Sequence, residues 1–311
     1  MNEMEDAMKS VYPRQVLSEI AGAIPGGCKK NMIIIGSLAV GYHFFVENES
    51  MAIRTKDADC LLSPRIKAVP AGEAIAEKLF DSGWVQADSG KWGKPGNENT
   101  PTDQLPALRL TPPGRKDWFI ELLTVPESQK DRDRKWVSLK TSRGYFGLPS
   151  FGFLSLTDFK PLKTALGVYI ARPEMMALAN MLEHPSISPD LMSGKIHGDK
   201  IKRSNKDLGR VLAIAYLSIA KNEDIMTEWP GLWREALQKR FPDDWQNLAQ
   251  SAGSGIRQLL QSASDLDEAY HTCKYGLLAS QQPTMSQLKI AGQRLLQDAV
   301  EPLAEMTKIE N

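Results

Sequence analysis

Three acidic residues of this sequence sit where carboxylates could share a metal ion. Asp57 and Asp59 stand two apart in Asp57-Ala58-Asp59, and Glu121 lies inside the apolar run Trp118-Phe119-Ile120-Glu121-Leu122-Leu123. In a strand, residues two apart project to one face, so Asp57 and Asp59 would point together while Ala58 turns into the fold. Magnesium takes hard oxygen ligands and usually binds through one or two carboxylates plus substrate phosphates and water, which suits the pair; manganese accepts the same donors. Glu121 could add a third carboxylate from a neighbouring strand, and an acid amid apolar residues calls for a partner because an unpaired buried charge is expensive. Upstream, Gly36 and Ser37 open a helical pattern. A helix N-terminus presents unpaired N–H groups and a partial positive charge, the missing side chain of Gly36 lets a phosphate approach the backbone, and Ser37 offers a hydroxyl. Alone, an Asp-x-Asp more often caps a turn or lies on a solvated edge, and Gly-Ser is ordinary turn chemistry. Weight comes from the ordered set: Gly-Ser, paired acids, later acid.

Hydrophobic spacing indicates the elements that must carry these residues. Val16, Leu17, Ile20 and Ile24 predict a helix over 14–24, stopped by Pro25, Gly26 and Gly27. The short run from Met32 to Ile35 predicts a buried strand ending at Gly36-Ser37, followed by a helix over 38–46 and a second strand from Asp57 to Leu62. An amphipathic helix is expected over 72–83, then a long polar excursion over 88–104. Ala107 to Leu110 and Trp118 to Val125 read as a hairpin turned at Pro112, Pro113 and Gly114. Residues 127–143 are polar and charged, and 144–170 are compatible with short strands. From Pro173 the pattern becomes helical throughout, over 173–183, 207–221, 229–240, 243–262, 265–280 and 284–307. The expected fold is α/β (α+β), a mixed sheet flanked by helices over 1–171 followed by an all-helical domain over 172–311. No fixed-period repeat is visible, which argues against a solenoid.

Composition narrows the function classes. The chain has 311 residues, enough for two domains, with 42% hydrophobic and 24% charged residues, as in ordinary soluble proteins. Lys+Arg and Asp+Glu both count 38, so any nucleic-acid contact must come from a local basic patch. Cys28, Cys60 and Cys273 are too few and too scattered for a disulfide framework or a close-paired zinc site, and read as reduced thiols. The acidic N-terminus is unlike a signal peptide, and no apolar run reaches the roughly 20 residues of a membrane helix. The expected location is the cytoplasm, with no membrane partner.

Other conspicuous residues have plainer explanations. Lys195, Lys200, Lys202, Arg203, Lys206 and Arg210 form a basic cluster that is ordinarily a solvated face, the alternative being phosphate or RNA contact. Lys130, Arg132, Arg134 and Lys135 alternate with Asp131 and Asp133 and read as surface. His43, His184, His197 and His271 lack metal spacing. Trp229, Trp233 and Trp245 read as core anchors rather than a stacking platform for bases. Cys60, next to Asp59, reads as a small buried residue with no histidine to activate it.

The set Gly36-Ser37, then Arg54-Thr55-Lys56-Asp57-Ala58-Asp59-Cys60-Leu61-Leu62, then Phe119-Ile120-Glu121-Leu122-Leu123 resembles the polymerase-β nucleotidyltransferase superfamily. Within it the chain is similar to AbiEii-like toxins and related prokaryotic groups that join this core to a helical C-terminal region. The stretch Leu166-Gly-Val-Tyr-Ile-Ala-Arg-Pro-Glu174, followed by Lys206-Asp207-Leu208, resembles the family's strand, Pro-Glu, helix and Lys/Arg-Asp-Leu passage. Asn180 stands where relatives often have Lys, and Glu121 where Asp is commoner. The resemblance implies a metal-dependent transfer of a nucleoside monophosphate from a nucleoside triphosphate to RNA, protein or a small molecule. In that scheme Mg²⁺ or Mn²⁺ is held by Asp57 and Asp59, Glu121 is the third acid that positions or activates the acceptor, and Lys206 meets triphosphate oxygens. A role in a toxin–antitoxin or defence system is a further expectation. The alternative is a degenerate member that keeps the fold and binds only a nucleotide or a partner.

Overall fold

The computed structural model describes residues 10–48, 50–87, 93–127, 135–189, 194–196 and 201–308. The chain divides into two compact units, Met1–Leu154 with Lys160–Arg172, and Ser155–Phe159 with Pro173–Asn311.

The first unit is built around a mixed sheet. Its strands are β2 (Met32–Ile34), β4 (Asp57–Leu62), β5 (Val85–Gln86), β6 (Arg109–Thr111), β7 (Phe119–Thr124), β10 (Leu162–Lys163) and β11 (Tyr169–Ile170); β1 (Ser10–Val11) pairs apart from it with β3 (Ile53–Arg54). The seven run in the order β10-β11-β2-β4-β7-β6-β5. β4 and β7 are parallel at the centre, with β2 antiparallel to β4 and β6 antiparallel to β7. The C-terminal half of β4, Cys60, Leu61 and Leu62, is wholly buried, as are Met32 and Ile34 beside it. Burying such side chains contributes about 1.5–3 kcal/mol each, and this anchors the register that places Asp57 and Asp59.

Helices flank the sheet. α1 (Pro13–Ala23) begins with proline at its first turn and buries Val16, Leu17 and Ile20. α2 (Gly36–Phe45) packs on α1 where Gly41 faces Pro13, whose Cγ would lie 2.8 Å from a side chain at residue 41. α3 (Arg65–Asp81) starts about two turns before the expected helix and runs through Pro70. The bond that Pro70 cannot donate would end on the carbonyl of Ile66, in a first turn whose Ile66 side chain is exposed, so the helix tolerates it. A separate hairpin of β8 (Lys135–Thr141) and β9 (Gly144–Ser150) lies on α3, with Leu139 against Gly72. Part of the stretch expected to be merely polar is therefore strand. The charged run from Lys130 to Arg134 lies outside the described residues.

The second unit is helical, as expected, apart from the small hairpin of β12 (Lys195–Ile196) and β13 (Ile201–Lys202). After the short α4 (Leu154–Thr157) come α5 (Pro173–Leu182), α6 (Arg203–Lys221), α7 (Trp229–Arg240), α8 (Trp245–Ser251), α9 (Ser254–Gln261), α10 (Ala263–Lys274), α11 (Met285–Leu295) and α12 (Glu301–Met306). α6 packs against α5, α10 and α11. At Gly209 the α6 backbone approaches α10 so closely that a Cβ would fall 2.7 Å from the carbonyl oxygen of Ala269. The expected helix over 243–262 is two, α8 and α9, broken at Ala252 and Gly253, where a Cβ on Gly253 would meet Val300 at 2.6 Å. Trp229, Trp233 and Trp245 are buried, and the Trp233 indole N–H donates to the Glu174 carbonyl at 2.9 Å. No helix among the described residues is long and apolar enough to cross a membrane.

Candidate active site

The acids lie toward the N-terminal end of the central parallel pair. Asp57 pairs in register with Phe119, and Asp59 with Glu121. Register partners on adjacent parallel strands share a face, so Asp57, Asp59, Phe119 and Glu121 project together while Ala58 and Cys60 turn into the core. Asp57 and Asp59 are half-buried and Glu121 is buried. The Thr55 hydroxyl donates to Asp57 Oδ1 at 2.7 Å and orients that carboxylate.

Gly36 brings the opening of α2 to the same place. The Ile35 N–H donates to the Asp59 carbonyl at 2.9 Å, which ties the β2–α2 corner to β4. Gly36 has φ +71°, and a Cβ there would stand 2.8 Å from Asp59 Oδ2. Both the backbone conformation and the space therefore require glycine. Ser37 follows in the first turn of α2, half-buried.

Glu121 has a partner that the sequence reading missed. Arg109, opposite it on β6, donates from Nε to Glu121 Oε2 at 2.7 Å, and the two side chains are only 14% and 11% exposed. The guanidinium also stands 5.7 Å from the centre of the Phe119 ring. A signal was available: Arg109 interrupts an apolar strand in the hairpin that also carries Glu121, and opposite charges facing each other across an otherwise apolar hairpin suggest a pair.

Asp57 and Asp59 supply the hard oxygen donors a magnesium or manganese ion takes, and Gly36 leaves a cradle that any other residue would fill. Glu121 fits such an ion less well, because one of its oxygens is engaged by a guanidinium. Among the described residues no three His, Cys, Asp and Glu side chains form a set that could hold a metal ion. Cys60 offers no alternative nucleophile: burial, and then the Asp59 charge, push its thiol far above the usual range, and its S–H is directed at the Ala58 carbonyl.

Lys206 belongs to the second unit, half-buried on the first turn of α6. Asp207 beside it is buried, with Arg210 3.6 Å away on the next turn. Lys202 is engaged elsewhere, 2.6 Å from Asp265, and Asn205 bonds both Asp265 and Glu268. Of the remaining basic cluster, Lys195 and Arg203 are described, while Lys200 lies outside the described residues, as does His197.

Comparison of the chain with family models, with curated proteins and with solved structures finds no match in any of the three. The class of protein is thus defined by its fold: a mixed α/β unit with two acids on a central strand facing a glycine-opened helix, joined to a helical unit.

Proposed function

We propose that the chain is a metal-dependent nucleotidyltransferase, acting in the cytoplasm, that moves a nucleoside monophosphate from a nucleoside triphosphate to an acceptor hydroxyl on RNA, protein or a small molecule. The observation that carries this is the pairing of Asp57 and Asp59 on one face of β4 with the Asp59 carboxylate set against Gly36, where a side chain would collide at 2.8 Å. Asp57 and Asp59 hold the cation, Mg²⁺ or Mn²⁺. The first turn of α2, at Gly36 and Ser37, directs N–H groups and a hydroxyl at phosphate oxygens. Glu121 positions the acceptor. A bound divalent ion supplies Lewis-acid polarisation of the α-phosphate. The acceptor oxygen forms its bond to that phosphorus as the bond to pyrophosphate breaks in line.

The test is incubation of the protein with each α-labelled nucleoside triphosphate, Mg²⁺ or Mn²⁺ and total RNA or lysate. Label on an acceptor, absent with Asp57→Asn and with Asp59→Asn, is the expected result; equal labelling by both variants would refute the assignment. A second reading is favoured by the Arg109–Glu121 pair, which occupies the third acid: a degenerate nucleotidyltransferase fold that binds a nucleotide or a partner without turnover. Nucleotide binding without label transfer to any acceptor would select it.

A further inference from the structure

We propose that the cleft between the start of α1 and the end of α2 is a second binding site, and that it takes a small aromatic anion, a ring bearing a carboxylate or a phosphate. The cleft measures about 470 Å³, within the roughly 300–1,000 Å³ of small-molecule sites. Its lining divides by chemistry. Tyr12, Phe45 and Met51 supply aromatic and thioether surface against which a ring packs. Tyr12 is 44% exposed, so its ring is open to a ligand as it is to solvent. Arg14, Ser18 and Asn48 are exposed and carry hydrogen-bond donors. Asn48 is committed to that role: its Oδ1 accepts from the Ser50 N–H at 3.2 Å and from the Ser50 hydroxyl at 2.7 Å, so the amide N–H2 is the end it has to offer. Arg14 adds a positive charge, and no Asp or Glu is among the described residues that line the cleft. Donors without an opposing carboxylate, beside aromatic surface, favour an acceptor-rich charged group on an apolar ring over a cation or a plain hydrocarbon. The cleft is also remote from the acids of β4. α2 spans 10 residues from Gly36, which faces Asp59, to Phe45, which lines the cleft, and at 1.5 Å per residue these ends stand about 14 Å apart. The inference therefore does not depend on the metal reading of Asp57 and Asp59.

The experiment titrates the full chain, free of divalent metal, against 4-fluorobenzoate and 4-fluorophenyl phosphate and follows their fluorine resonances. Neutral 4-fluorobenzyl alcohol is titrated in parallel, and inorganic phosphate is added as a competitor. At least one aromatic anion is expected to bind wild type with a dissociation constant on the order of 1 mM, as suits a ligand of so few atoms, and the tighter of the two tells carboxylate from phosphate. The alcohol, without a charge, and phosphate, without a ring, are each expected to bind at least about tenfold more weakly. Asn48→Asp keeps the oxygen that Ser50 uses and replaces the N–H2 with a charged acceptor, and is expected to weaken the anion at least about tenfold. Ser18→Trp fills the cleft from the exposed side of α1 and is expected to abolish binding. Both positions are exposed, so both variants should keep the melting temperature of wild type, and if one does not, the other decides. Failure of wild type to bind either anion at about ten times the expected constant would overturn the inference. So would equal binding of the neutral alcohol, or an affinity unchanged in a folded variant, which would place the ligand elsewhere on the chain.

Discussion

The Arg109–Glu121 pair of the first unit and the Lys202–Asp265 pair of the second are both short contacts between opposite charges, at 2.7 and 2.6 Å, yet they differ in what surrounds them. Arg109 and Glu121 are 14% and 11% exposed and cross between two strands of the sheet; Lys202 is 53% exposed and reaches an acid in the first turn of α10. Water screens the second pair and not the first. A short distance between charges therefore says little by itself, and burial decides whether the pair governs a site or merely decorates a surface.

The largest expected effect breaks the buried pair. Arg109→Ala leaves Glu121 inside the sheet without its cation and is expected to cost about 3–5 kcal/mol in urea unfolding, whereas the uncharged double variant Arg109→Gln/Glu121→Gln should cost much less. Lys206 marks an intermediate case, a half-buried cation. If it meets the triphosphate, Lys206→Ala loses a charge-assisted contact of about 1.5–3 kcal/mol and raises the nucleotide dissociation constant roughly ten- to a hundred-fold by calorimetry. An unchanged constant would return it to the surface class.

Gly36→Ala tests the approach of α2 to Asp59 without altering any charge. A side chain at φ +71° costs about 1–2 kcal/mol for the backbone alone, and the collision with Asp59 Oδ2 displaces the carboxylate as well. Chemical denaturation reads the first effect and Mn²⁺ affinity the second.

The exposed pair sets the lower end. Lys202→Ala is expected to cost less than about 1 kcal/mol. Its pH dependence has a definite sign. The Lys202 hydrogen bond, followed by those of Asn205 and Ser262 against an opposing effect of burial, holds the Asp265 carboxyl below its usual value near 3.8. That contribution is complete above the unfolded value and is lost as pH falls through the lowered folded one. On the other side, the same hydrogen bond raises the Lys202 ammonium above its usual 10.5, so the contribution ends as pH rises through that raised value. Wild type and Lys202→Ala should therefore differ in melting temperature at neutral pH and converge in strong acid.

The site's acids and its glycine were legible because each has a local signature: a period of two for Asp57 and Asp59, a strand-to-helix switch for Gly36, an acid in an apolar run for Glu121. The cross-strand link from Arg109 to Glu121 depends on hairpin register, which a turn of uncertain length around Pro112 to Gly114 does not fix. Strand β8 was hidden because Lys135, Ser138 and Lys140 face solvent, and Leu139 alone of its apolar residues is wholly buried. Pro70 concealed the start of α3, since a proline reads as a break unless the bond it forfeits falls in an exposed first turn. The break between α8 and α9 follows from the packing of Gly253 against Val300, a contact 47 residues away that no local pattern announces. Long elements with regular burial were readable; elements set by distant contacts were not.

The central claim is that the Asp57–Asp59 end of β4 is a metal–triphosphate site, and it is tested most directly by titrating a non-hydrolysable nucleoside triphosphate analogue into wild type and Asp59→Asn by calorimetry, with and without Mn²⁺. Wild type is expected to bind only when Mn²⁺ is present, and Asp59→Asn, with one of the two cation-holding carboxylates gone, to bind at least about tenfold more weakly, in line with the loss of a charged contact. Equal affinities for the two proteins, or binding by wild type that does not depend on the metal, would contradict the account.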